Sequence, residues 1–271
     1  MAQVRTVTSF WFCSLHHARS VRDDDDRARR VASVLNVPAM RSFRRVAVTV
    51  KARETEHRPN SPEQLRKHLQ HPVARGVVLD SGRSGEPIAD GTIQTALDYK
   101  PDADIVAPMT AHLVLPYVAD DREAVLDVFC SLAEILESAW GATSVEPSFQ
   151  TASNATGAAG PSSADAPTYT VMTPDRIRYR RTPGFCVSEI AHGIGGPEWG
   201  TFLGPAHLAR LPPATLTSDA FHHVRPLAHG GAFIRLSTDP MDAQSESILA
   251  LVANARAALE PILLDISSVR L

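Results

Sequence analysis

The stretch DREAVLDVFCSLAEILESAW, residues 121–140, decides the reading of this chain. Val125, Phe129, Leu132 and Leu136 recur at i, i+4, i+7 and i+11, which is one apolar stripe of an α-helix. The spacing predicts a helix from about Asp121 to Trp140, with Gly141 as its stop. At about 100° per residue, Glu123, Asp127, Glu134 and Glu137 gather on the opposite face. The helix is expected to bury one stripe and turn an acidic one outward. Together with Asp120 and Asp121, those carboxylates form the candidate partner-binding surface.

Strand patterns lie on both sides of this helix. Val4 to Leu15, Arg45 to Val50, Val77 to Asp80, Thr92 to Tyr99 and Asp104 to Leu115 read as strands before it. Pro108 and Pro116 would limit the last of these to an edge, a bulge or a short piece. Asp23 to Asp26 ahead of Arg27, Arg29 and Arg30 suit the N-terminus of a helix. Ser61-Pro62-Glu63-Gln64 is a helix start with a capping box, and that helix should end near His71-Pro72. After residue 140, Tyr169 to Met172 and Phe185 to Ile190 read as strands, and Pro205 to Leu211 as a short helix. Gly230-Gly231 joins a hairpin between His223–Leu227 and Ala232–Ser237. Asp242 would cap a last helix to about Glu260, with Ile248, Leu251, Val252, Ala255 and Leu259 inward, before a strand from Leu263 to Val269. Residues 148–167, rich in Ser, Ala, Thr, Gly and Pro, read as a flexible connector or long loop. Strands and helices mix without strict alternation. The expectation is a single α+β domain over residues 1–271, a largely antiparallel mixed sheet with several packed helices.

Composition narrows the functional classes. No apolar run approaches the roughly 20 residues of a membrane span, and no cationic-then-apolar leader opens the chain. Cys13, Cys130 and Cys186 form neither a zinc pattern nor a disulfide framework. A cytoplasmic protein with free thiols is expected. The net charge of −3 hides an uneven distribution. Residues 1–79 hold 15 Lys and Arg against 7 Asp and Glu, whereas residues 80–147 hold 3 against 13. The acidic segment could face a basic partner, and the basic one nucleic acid or an acidic partner. Equally, the two could neutralise each other within one fold.

Catalytic signatures are missing. There is no phosphate-binding loop ending in Gly-Lys-Ser/Thr. His192 to Glu198 resembles a dinucleotide loop, but Glu198 occupies the third glycine position and Pro197 the expected helix start. Ser84 lacks the second glycine of a nucleophile elbow, since residue 86 is Glu. Glu189 and His192 give half a di-iron spacing with no second copy. The adjacent pairs His16-His17 and His222-His223 would point to opposite faces of a strand, so neither pair chelates alone. Arg176, Arg178, Arg180 and Arg181 around Tyr179 are a weak nucleic-acid pattern that also suits a solvated strand edge. No catalytic residue, cofactor or metal site is expected, and the profile fits a binding protein better than an enzyme.

Four stretches in order resemble the immunity protein 52 family of bacterial polymorphic-toxin immunity proteins. They are Gly82 to Ile88; Ala111 to Pro116 followed by the helix closing at Ala139-Trp140; Val224 to Leu227 with Gly230-Gly231 and Ala232 to Thr238; and Ala255 to Leu259. The sequence departs from the family near its start, where Ser14-Leu15-His16 replaces a Gly-Pro-Arg-like turn. The resemblance implies a cytoplasmic antidote that binds a cognate toxin, commonly a nuclease delivered by type VI secretion, and blocks its active site or substrate path. It implies no cofactor, no direct nucleic-acid contact and no membrane. The alternatives are an effector-loading adaptor or chaperone, and a hydrolase without a recognisable motif.

Overall fold

Local capping sets the first two helices. In the computed structural model of the chain, α1 (Asp25–Val34) begins after Asp24, whose carboxylate accepts from the Arg27 amide. Helix α2 (Pro62–Leu69) begins after Ser61, whose hydroxyl accepts from the Gln64 amide at 3.2 Å, and Pro62 takes the first turn. The Gln64 side chain does not complete the box; it turns to His68 instead. The structure describes residues 9–50, 53–82, 89–96, 109–149, 152–153, 169–172, 178–181, 194, 197–245 and 247–263. Most of the 148–167 connector lies outside them, as do the family-like turn at residues 83–88 and the expected strands Phe185 to Ile190 and Leu263 to Val269 beyond residue 263.

The strands before α3 are β1 (Phe10–His17), β2 (Arg45–Val50), β3 (Arg53–Glu54), β4 (Arg58–Pro59), β5 (Gly76–Asp80), β6 (Asp90–Gln94) and β7 (Met109–Pro116). After α3 (Arg122–Ile135) come β8 (Trp140–Glu146), β9 (Tyr169–Met172), β10 (Arg178–Arg181), β11 (Gly200–Leu203), α4 (Pro205–Leu208), β12 (His223–Pro226), β13 (Ala232–Arg235) and α5 (Ile248–Ala258). Among the described residues, eleven strands form one antiparallel sheet in the order β12-β13-β11-β8-β1-β7-β6-β5-β2-β3, with β4 also on β2, while β9 and β10 form a separate pair. This is an α+β fold.

Strand β1 occupies the middle, pairing β7 on one side and β8 on the other. Its alternation divides the molecule into two layers. Trp11, Cys13, Leu15 and the imidazole of His17 enter the main core, with residues from all five helices. Trp11 is fully buried and meets Tyr117, Phe129 and Trp199 edge-on, with ring centroids 5.5–5.9 Å apart. Phe10 and Phe12 face the other way, into a smaller cluster with Val114, Ala142 and Ala152.

Three expectations are corrected here. Strand β7 is interior, lying between β1 and β6; Pro116 is its last residue, opposite Phe10, where a missing amide interrupts no run of the ladder. The last helix starts at Ile248 rather than near Asp242, because a 3₁₀ turn (Pro240–Gln244) intervenes, and Asp239 caps it by accepting from the Met241 amide. Helix α3 ends at Ile135, not Trp140. Glu137 adopts a left-handed φ of 49°. The Ser138 amide then donates to Ala133 O at 2.8 Å, and the Glu137 amide to Glu134 O at 3.2 Å, a Schellman closure built on glutamate rather than glycine. The predicted apolar stripe is buried as expected: Val125, Phe129, Leu132 and Leu136 are at most 2% exposed.

Gly141, expected to stop the helix, lies inside β8. A Cβ there would sit 2.6 Å from both Leu15 Cδ2 and the Ser14 carbonyl oxygen. Gly141→Ala is therefore expected to cost about 1–3 kcal/mol by overpacking, read as a lower urea midpoint at constant m-value. An unchanged midpoint would mean that β1 and β8 separate there freely.

Candidate functional site

The six carboxylates expected to form a partner surface fall into four settings. Glu123, Asp127 and Glu134 lie along α3 against the β12–β13 hairpin. Glu123 pairs with Arg235 at 3.1 Å, Asp127 with Arg225 at 2.5 Å, and Glu134 accepts from the Ala228 amide at 3.1 Å. Burial, the largest single influence, disfavours the charge on Arg225, but the hydrogen bond to Asp127 together with the charges of Cys130, Asp127 and Glu134 outweighs it and raises its pKa. Asp121 pairs with Arg41 at 3.2 Å. Glu137 lies beyond the helix end, bound by Arg19 at 2.8 Å and Arg27 at 3.1 Å. Asp120 is exposed and makes no contact of this kind.

The charge asymmetry of the sequence is thus partly resolved inside the fold. Arg19 and Arg27 on Glu137, Arg41 on Asp121, and Arg45 with His57 on Asp80 all join the basic first segment to the acidic second one. Neutralisation within one fold, one of the readings open at the sequence level, describes these pairs.

A different acidic feature appears where the hairpin meets α5. A groove of about 440 Å³ is lined by Asp219, Ala220, His222, Leu236, Ser237, Thr238, Asp239, Asp242 and Leu251. The β12–β13 pairing and the 3₁₀ turn bring together three aspartates spread over 24 positions, for which no periodic signal exists in sequence. Asp239 is committed, capping Met241 at 3.0 Å and accepting from the Tyr117 hydroxyl at 3.4 Å. Burial first, and then the charge of Asp239, raise the Tyr117 phenol above its ordinary value. Asp219 is exposed and Asp242 half-buried, and neither side chain takes a partner among the described residues. His222 Nε2 lies 2.9 Å from Thr238 Oγ1 on one wall. Among the described residues, no arginine or lysine lines the groove.

The histidines of β1 divide as the strand period requires. His17 lies in the core, its Nδ1 donating to Arg19 O at 3.1 Å, with Nε2 buried and unpartnered. His16 is on the opposite face, stacked on Trp140 with centroids 4.7 Å apart and edge-on to His112 at 6.4 Å. Burial, reinforced by neighbouring imidazoles, lowers His16 to about 3 and His112 to about 4; burial also takes His17 to about 4. All three are held neutral. Burial and the nearby Glu146 charge push Glu198 up to about 8. Burial raises Cys130 to about 12, and the Cys13 thiol is raised by the same cause, so both are inert. Among the described residues, no three His, Cys, Asp or Glu side chains converge as metal ligands, and no helix is long and apolar enough to cross a membrane.

This is the architecture of a broad antiparallel sheet carrying helices and a groove between its edge hairpin and α5. Among solved structures it is similar to Pseudomonas aeruginosa T6SS protein PA0821, with a TM-score of 0.55 and 15% identity over 94% of this chain and 73% of that one. The similarity is one of fold. No protein-family model and no curated protein matches the chain.

Proposed function

We propose that this protein is a type VI secretion immunity protein that binds a cognate nuclease toxin in the cytoplasm and neutralises it by covering its active site or substrate path. It acts as a binder and not as an enzyme. The observation that carries this reading is the fold shared with a T6SS protein across nearly the whole chain, and the ordered family-like stretches support it. The surface chemistry agrees. Val73 is the one large hydrophobic side chain exposed among the described residues, so their surface offers a partner mainly polar groups. A nuclease cleft is positively charged because it holds phosphate backbones, and acidic groups on an inhibitor steer and seat it there.

The test is a cleavage assay. The toxin domain encoded beside this protein is incubated with DNA, with and without one equivalent of it. The expected result is loss of cleavage together with a stable co-eluting complex. Co-elution with cleavage intact would replace the antidote by an adaptor, and absence of binding would remove the reading for that pair.

A further inference from the structure

The carboxylates divide into those already used and those still available. Five of the six first expected to contact a partner bind cations or an amide of their own chain. A partner's cation would have to displace an arginine to reach them, gaining little. Asp219 and Asp242 carry no such commitment, and they flank a groove whose other walls include Leu236 and Leu251. A space of about 440 Å³ is ample for one long side chain.

Charge and lining select the occupant. A compact divalent cation needs several oxygens converging on one point, and the described residues offer no such convergence. A guanidinium spreads its charge over a plane and offers five donors, enough to meet two separate carboxylates at once. Its aliphatic stem would lie along Leu236 and Leu251, as long cationic side chains do on apolar surface. We infer that this groove receives an arginine side chain from a basic surface of the partner protein, anchoring the complex at the hairpin–α5 junction rather than on α3. The inference rests on the antidote reading for the identity of that partner.

The experiment compares Asp219→Asn/Asp242→Asn with the wild type in titration calorimetry against the toxin domain, at two salt concentrations. Neither side chain supports the fold, so the thermal midpoint should not move. At least roughly tenfold weaker binding with a shallower salt dependence is expected, the signature of a lost charge pair. Asp127→Asn on α3 should leave affinity within about twofold. Equal affinity of the double variant and the wild type would overturn the inference while leaving the antidote reading intact. If the wild type does not bind the toxin, that reading fails separately, and the groove is judged with N-acetyl-arginine amide by NMR. Saturable shifts at Ala220, His222 and Thr238, lost in the double variant, uphold the groove; no saturable shift overturns it.

Discussion

Lowering the pH from 6.5 to 4.5 is expected to unfold this protein cooperatively. His16, His17 and His112 have folded pKa values of about 3, 4 and 4, against 6.5 for an unperturbed imidazole. Each stays neutral when folded and takes up a proton when unfolded throughout that window. Glu198 acts in the opposite sense. Its folded pKa of about 8 lies above the unperturbed 4.5, so it is protonated when folded and releases a proton on unfolding. The balance is about two protons taken up, a slope of about 2.7 kcal/mol per pH unit. Over two units that rivals the whole stability of an ordinary domain. Above about pH 7 the unfolded histidines are neutral too and Glu198 alone remains, so stability falls again toward pH 8. The maximum should lie near pH 7. Urea midpoints measured from pH 4.5 to 8.5 test this, and His112→Asn should flatten the acid limb by about one proton. A midpoint unchanged between pH 7 and 5 would show that these imidazoles are solvated.

Arg27→Ala is expected to destabilise the fold by about 3 kcal/mol. The Arg27 side chain is only 16% exposed. It donates to Glu137 Oε1 at 3.1 Å, to Ile135 O at 3.0 Å and to Ser20 O at 3.2 Å, tying α1 to the last turn of α3. Removing it takes a donor from the Ile135 and Ser20 carbonyls and leaves Glu137 to Arg19 alone, at a left-handed backbone position that costs about 1 kcal/mol in a residue with a Cβ. Glu137→Gly separates the two effects. It loses the carboxylate but relieves the backbone, so it should be milder than Glu137→Ala by about 1 kcal/mol. Thermal or urea unfolding of the three variants decides it. Equal losses for glycine and alanine would mean that the backbone at residue 137 relaxes on its own.

What could be read from the sequence was what is decided locally. Asp24 and Ser61 cap helices through hydrogen bonds to amides three residues on, so the signal and its cause share one turn. The stripe Val125, Phe129, Leu132 and Leu136 was legible because burial follows the helical period. The end of α3 was not, since the usual signal is glycine and this chain uses glutamate held by two arginines, one of them 110 residues away. The fate of the acidic stripe was equally hidden: Arg225 and Arg235 reach Asp127 and Glu123 from strands 98 and 112 residues distant. The groove aspartates share neither a period nor a segment, and only the hairpin and the 3₁₀ turn place them together.

The central position of β1 also dictates when the protein can be finished. Phe10–His17 is made before either of its neighbours, β7 and β8, and the second of these ends at Glu146. At roughly 5–20 residues per second, the strand waits on the order of ten seconds for its second partner. Until β7 is made FWFCSLHH has two open edges, and until β8 is made it has one; its composition is largely apolar, the condition in which nascent chains aggregate or recruit chaperones. Long-range closure of this kind also makes refolding slow compared with helical proteins of similar size. Translation that stops before Trp140 therefore yields a fragment with one edge of its middle strand open, and a freshly made copy becomes competent only after β8 has been made.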